Sequence, residues 1–281
     1  MHLGQIKQSG SVIAAVIEGE LARPVPGHTM LDLIRRSHAE SVALPKLVAS
    51  LASRHAEPLP QVLPIHPPEV WACGCTYETS ASFRDAELGT REGMYGYVYR
   101  EPRPEIFFKG TARVCVGAGQ TIGLRADSKF TAPEPELAVV LGKGGAIVGY
   151  TLANDVSAWD IERENALYLP QSKLYNACCA LGPAIVTADA IPDPYGLEMT
   201  CTVTRGDAVL FSGSVNTARL HRRFETLIEY LMRSNAVPAG TVLLTGTGII
   251  VPESAALAAG DVVEIAVPEI GLLSNRAAVV E

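Results

Sequence analysis

The stretch Phe130–Asp160, FTAPEPELAVVLGKGGAIVGYTLANDVSAWD, limits the fold more than any other part of the chain. Two apolar runs, Leu137–Leu141 and Ala146–Leu152, flank a glycine turn at Lys143–Gly145. Such a pattern reads as a strand, a tight turn and a return strand, with Asn154-Asp155 at the mouth of the second. Glu134 and Glu136 lead directly into the first run. In an extended strand their i, i+2 spacing turns both carboxylates to the same side. Together with Asp155 they form a compact all-oxygen set, which suits a hard divalent cation such as Mg²⁺, with Mn²⁺ as the alternative, and excludes thiolate or imidazole ligation. The plainer reading has two solvent-facing glutamates and a turn aspartate, and spacing alone leaves both open.

At 281 residues the chain is long enough to bury a large core. Apolar residues make up 48%, charged residues 19%, and the formal net charge is −7. That is the composition of a mildly acidic soluble enzyme. Nucleic acid is not an expected partner, because no Lys/Arg stripe stands out against the negative balance and the basic run His221-Arg222-Arg223 is too short to form a footprint. No stretch reaches about eighteen uninterrupted apolar residues, and the N-terminus lacks a basic region followed by an apolar block. The expectation is a cytoplasmic protein with no membrane partner. The six cysteines have neither the spacing of a structural zinc site nor the setting of a disulfide framework. Histidine is absent from Pro67 to Leu220.

Residues 1–66 read as a small N-terminal α+β unit and residues 67–281 as the catalytic, metal-binding domain. In the first, Ser11–Ile17 is a strand. Thr29 caps a helix over Thr29–Arg36 with Asp32 as its reciprocal partner, and Ala43–Ala52 is a second helix. Prolines from Pro58 to Pro68 break helical continuity and mark a linker. Beyond Val70, short apolar strands separated by glycines outnumber the helical segments, which fall at Tyr77–Glu87, in part of Asp155–Ala166, and at Thr217–Ser234. The fold class expected is mainly β or α+β, with a rolled mixed sheet. No dinucleotide fingerprint follows a strand, and Gly240–Gly248 lacks the lysine of a phosphate loop.

Several elements in fixed order carry a resemblance. They are Phe108-Lys109, the run Pro133–Leu137, Gly149–Ser157, Lys173 before Leu181–Pro183, Leu244–Gly248, and Gly260-Asp261 leading to Ile270-Gly271. In these the chain resembles the fumarylacetoacetate hydrolase family over residues 70–281. The resemblance implies the rolled β domain, a homodimer or homotetramer, and Mg²⁺ held by Glu134, Glu136 and Asp155. It also implies substrates that are 2-oxo acids or 1,3-dicarbonyl compounds. The segments Trp71–Glu78, Arg103–Lys109 and Ile161–Lys173 are most similar to the branch that dehydrates 2-dehydro-3-deoxy-pentonates such as the arabinonate or xylonate to 2,5-dioxopentanoate. Two departures bear on this. Members that cleave a C–C bond place a histidine soon after the tyrosine of the first domain strand. Here the segment is Tyr77–Arg84 without one, so only His28 or His38 of the leading unit could supply that base. Where many relatives have arginine, this chain has Trp159.

In such a dehydration the metal polarises the 2-oxo acid, a base removes the C3 proton, and an acid protonates the leaving C4 hydroxyl. Lys173 is expected as the base, its pKa lowered by burial near a cation, with a carboxylate clamp as the alternative. Glu78 is expected as the proton donor, or else as a solvent-facing glutamate. Lys109, Tyr77, Gln171, Thr245 and Thr247 are expected to bind substrate. For the two threonines, the alternative is a tight turn only. Rival activities are an acylpyruvate hydrolase or an oxaloacetate decarboxylase of the same family. A rival of another class is a non-catalytic metabolite-binding protein.

Overall fold

Residues 1–87 and 93–281 are described in the computed structural model. The leading segment supplies β1 (His2–Gln8), β2 (Ser11–Glu18), β3 (Leu21–Val25), α1 (Met30–Ala39) and α2 (Leu44–Leu51). Next come β4 (Val70–Gly74), α3 (Glu78–Glu87), α4 (Met94–Arg100) and β5 (Glu105–Gly110). The short β6 (Cys115–Val116), β7 (Thr121–Arg125) and β8 (Thr131–Ala132) precede β9 (Pro135–Leu141) and β10 (Ile147–Asp155). They are followed by β11 (Ser157–Ala158), α5 (Trp159–Glu164), α6 (Leu169–Lys173) and β12 (Cys179–Thr187). The chain continues through β13 (Glu198–Arg205), β14 (Ala208–Asn216), α7 (Phe224–Met232), β15 (Val242–Leu244), β16 (Val262–Val267) and β17 (Gly271–Val280).

Strands dominate, as expected of an α+β chain with a mixed sheet. A ten-stranded sheet has the order β3-β2-β1-β12-β10-β9-β15-β4-β5, with β6 added alongside β12. A five-stranded sheet has the order β14-β13-β16-β17-β7. The β9–β10 hairpin is central in the larger sheet, and all seven residues of β9 are buried. Period-two alternation divides its side chains between two cores. Leu137, Val139 and Leu141 pack with residues of the five-stranded sheet such as Val263 and Ile265. Ala138 and Val140 pack with Leu33, Ile34 and Val48 of the leading helices.

The leading residues are joined to this sheet directly. β1 pairs antiparallel with β12, His2 opposite Val186 and Leu3 opposite Ile185. The proline-rich passage lies against the same strands through bridges Ile6–Gln61 and Ala22–Glu57, and Leu63 and Ile65 are buried. α1 begins at the expected cap, since Thr29 accepts from Asp32 N while Asp32 accepts from Thr29 N.

Two helical segments are shorter than their sequence pattern. The strand β10 runs through Asp155, so α5 starts only at Trp159. In 217–234 the helix starts at Phe224; Asn216 caps a single turn at Thr217–Arg219, and Leu220 and Arg223 are extended. Among the described residues no helix is long and apolar enough to cross a membrane.

Candidate metal centre and active site

The hairpin register sets Glu136 opposite Ala153 and Pro135 opposite Asn154, and Asp155 N donates to Glu134 O at 2.9 Å. By parity Glu134, Glu136 and Asp155 continue the face of Ala138, Val140 and Ala153 beyond its apolar part. The three side chains are only 4%, 1% and 1% exposed. This removes the solvent-facing alternative. Each offers an oxygen within 4.8 Å of the others. Asn154 Oδ1 accepts from Glu134 N at 3.0 Å and fixes the strand end.

Three buried cations surround the carboxylates. Lys173, at the end of α6, donates to Glu134 Oε2 at 2.8 Å, Asp155 Oδ2 at 3.2 Å and Ser157 Oγ at 2.6 Å. Lys109 ends its apolar run fully buried, with Nζ at 2.5 Å from Asp155 Oδ1 and 3.0 Å from Val156 O. Arg84, from α3, places Nη2 at 3.1 Å from Glu134 Oε1 and Nη1 at 3.9 Å from Glu162 Oε1. Among the described residues Glu136 meets no lysine or arginine in this way; its Oε2 accepts from Gly246 N at 2.5 Å. Gly246 has φ +93°, and a side chain there would run into Thr76, so the close backbone approach requires glycine.

The charges are not balanced. Burial, then the neighbouring Asp155 and Glu134, push Glu136 well above the usual carboxylate range. Burial also pushes Glu134 upward, but the Lys173 ammonium and the Arg84 guanidinium outweigh it and hold Glu134 at about 2. Four buried carboxylates in this cluster, counting Glu162, face three buried cations. An all-oxygen set with surplus negative charge fits a hard divalent cation. Lys173 differs from the sequence expectation of a lowered pKa. Burial pushes it down, but Asp155, Glu134 and Glu162 prevail, and it lies above the usual lysine range.

The other expected residues are distributed more widely. Thr247 lines the cleft at the centre together with Glu134, Arg84 and Trp159, but its hydroxyl is bonded to Ile249 N and O. Thr245 Oγ1 donates to Leu137 O at 2.7 Å. Tyr77 is buried, and Glu136 reinforces the effect of burial in raising its phenol. Glu78 is exposed at the start of α3 and lines a second depression with Tyr77, Thr79, Tyr99 and Arg219. Gln171 is exposed, with its carbonyl accepting from Arg125 Nη1. The histidines contact other regions: His28 meets Pro26 O and Arg36, His66 meets Gln5, and His221 stacks on Tyr99.

Sequence reasoning missed Arg84, Glu162, Ser157 and the indole of Trp159, which donates to Glu134 Oε1 at 3.2 Å. A signal existed for two of them. Ala81 and Arg84 are three apart on α3 and both buried, as are Trp159 and Glu162 on α5. A charged residue recurring on a helix's buried face marks a site.

The fumarylacetoacetate (FAA) hydrolase C-terminal family model matches residues 86–278. The 2-dehydro-3-deoxy-D-arabinonate dehydratase of Saccharolobus solfataricus is 50% identical over 213 residues, 75% of this chain and 72% of that protein. A Haloferax volcanii protein named "Probable 2-keto-3-deoxyxylonate dehydratase" is 40% identical over 258 residues, 88% of this chain and 87% of its own. A solved 2-keto-3-deoxy-D-arabinonate dehydratase, complexed with magnesium and 2,5-dioxopentanoate, is similar with a TM-score of 0.85 and 38% identity over 100% of both chains. With its hairpin-borne carboxylates and this extent of match, the chain belongs to the fumarylacetoacetate hydrolase family.

Proposed function

We propose that the protein is a Mg²⁺-dependent hydro-lyase that converts a 2-dehydro-3-deoxy-pentonate, arabinonate or xylonate, into 2,5-dioxopentanoate. The observation that carries this is the buried Glu134–Glu136–Asp155 cluster with Lys173 bonded to two of its members, in a chain similar throughout to a dehydratase complexed with magnesium and that product. Glu134, Glu136 and Asp155 would hold the cation. Once bound, it supplies a Lewis acid for the carboxylate and carbonyl of a 2-oxo acid.

The chain's own groups account for the proton movements. We assign proton transfer at C3 to Lys173, which among the described residues is the cation in hydrogen-bond contact with two of the three carboxylates. Ser157, whose hydroxyl meets the same ammonium, orients it. Loss of the C3 proton and the C4 hydroxyl leaves a C3=C4 alkene. Transfer of a proton from C5 to C3 then gives a C5 enol, which tautomerises to the terminal aldehyde, so one water is lost in all. Glu78 remains our candidate for protonating the leaving hydroxyl, on the ground that it opens the helix carrying Arg84. Lys109 sets Asp155 from behind, while Tyr77 and Thr247 border the substrate space; Gln171 belongs to its outer rim in this reading, and buried Thr245 supports its floor through Leu137 O.

We keep residues 67–281 as the catalytic unit, because every residue of the cluster lies in it, and 1–66 as a sheet extension. A cytoplasmic homo-oligomer is part of the reading; its supports are six free cysteines and exposed apolar side chains such as Val209, Leu272 and Val279. The absence of any histidine contact with the cluster among the described residues favours dehydration over C–C hydrolysis. The test is a substrate panel with Mg²⁺: 2-keto-3-deoxy-arabinonate and -xylonate beside acetylpyruvate and oxaloacetate. Preferential turnover of a sugar acid supports the proposal, and rapid acetylpyruvate cleavage with no sugar-acid turnover overturns it.

A further inference from the structure

Arg222 lies where a continuous helix was expected, and its side chain has another task. It is 8% exposed and reaches back to the end of α4. Its guanidinium donates to four carbonyls there: Pro102 O at 3.1 Å, Val98 O at 2.8 Å, Tyr99 O at 3.2 Å and Glu101 O at 2.5 Å. The last carbonyls of a helix have no partner within it, and a cation at that end is favoured by the helix dipole. α4 has seven residues, too few to persist without outside support. Its other end is held as well, because Asp85 accepts from Tyr95 N and Gly96 N at 2.8 Å each.

α4 leads to the metal centre through aromatic packing. The Tyr95 ring is buried, 5.7 Å from the Arg84 guanidinium carbon, and Trp159 lies 5.5 Å from the same carbon. Arg84 thus packs on both rings while it bonds Glu134. α4 also lines, through Met94, Tyr95 and Val98, a cavity of about 320 Å³ that Ala166 and Leu169, from the segment leading into Lys173, line as well. The seat of Arg222 is firm. His221 N donates to Thr76 O at 2.9 Å, and Thr76 Oγ1 to Thr245 O at 2.8 Å, beside the Gly246 N–H that holds Glu136.

We propose that Arg222 is a positioning residue for the active site: by holding the carbonyl end of α4 it fixes Tyr95, and through that ring the Arg84 guanidinium on Glu134. The role rests on the dehydratase reading for its activity readout only. Three of the carbonyls meet Nη2 and the fourth, Pro102 O, meets Nη1, so a single ammonium cannot hold all four at once.

The experiment compares wild type, Arg222→Ala and Arg222→Lys by steady-state kinetics and by amide hydrogen exchange of α3, α4, β9 and β10. In Arg222→Ala, kcat/KM should fall roughly 10–100-fold, the scale of a misplaced catalytic group. Exchange should quicken in α4 and the Arg84 turn while β9 and β10 stay protected. Millimolar guanidinium should restore part of the activity, and methylammonium should not. Arg222→Lys, which retains the stem and the charge, should show the same selective loosening and serves if the alanine variant does not fold. Unchanged α4 exchange, or faster exchange with unchanged kcat/KM, overturns the assignment. If the wild type turns over neither pentonate, the dehydratase reading fails, and Arg222 is judged by exchange alone: α4 and the Arg84 turn must loosen together.

Discussion

Glu136 concentrates the electrostatic problem of this site. Its shape is satisfied by the Gly246 N–H, but its charge faces Asp155 and Glu134 with no lysine or arginine among the described residues bonded to it. Replacing it by glutamine keeps an acceptor for Gly246 and removes the surplus charge. Glu136→Gln should therefore fold at least as stably as wild type without metal, while Mg²⁺ affinity by calorimetry falls at least roughly 100-fold, since a ligand is lost and not only its support. Destabilisation with full Mg²⁺ affinity would contradict the assignment. Trp159 gives a second test at this scale. It is one of two tryptophans, and its indole donates to Glu134. Titration with Mg²⁺ should change the tryptophan fluorescence of the wild type, and the change should vanish in Trp159→Phe. A response carried by Trp71 instead would show that cation binding does not reach Glu134.

At the scale of elements, strands were legible wherever an apolar run ended in a glycine turn. The β9–β10 hairpin lies where its two apolar runs placed it, because burial on both faces imposes the pattern directly. β7 and β17 escaped notice: β17 alternates with charged and polar residues such as Asn275 and Arg276, and its pairing to β7 is parallel and distant in sequence. The helical pattern over 217–234 overreached because Arg222 is drawn to α4, a tertiary bond that propensity does not encode. The carboxylate cluster was legible because it is local to one hairpin, whereas Arg84 and Glu162 come from separate helices and meet only after folding. Between elements, Arg205 at the end of β13 forms a two-oxygen pair with Asp261 just before β16. Burial pushes Asp261 up, but the Arg205 guanidinium and the Ala258 N–H hold it below the usual carboxylate range. A carboxylate with a depressed folded pKa adds stability above its unfolded pKa and loses it as pH falls through the folded one. Asp261→Asn should thus be less stable than wild type in urea at pH 7, and the gap should narrow as pH falls below about 4. A gap independent of pH would mean the pair acts through packing alone.

The whole molecule places a charged cluster at the end of a buried hairpin. β9 and β10 lie between β12 and β15 in the larger sheet, with one core toward the five-stranded sheet and the other toward the leading helices. This arrangement keeps three carboxylates from dispersing and shields them from water, which strengthens their demand for a cation. The leading residues share a core with the β9–β10 hairpin, which their strand pattern did not disclose, because the β1–β12 pairing joins segments far apart in sequence. The central claim is that this buried centre uses a divalent cation to dehydrate a 2-keto-3-deoxy-pentonate. The most direct measurement follows 2-keto-3-deoxy-D-arabinonate by proton NMR with metal-stripped protein, before and after addition of Mg²⁺. The expected result is 2,5-dioxopentanoate appearing only with Mg²⁺ and stopping on chelation; equal turnover in both conditions, or none of either pentonate with Mg²⁺ bound, would contradict it.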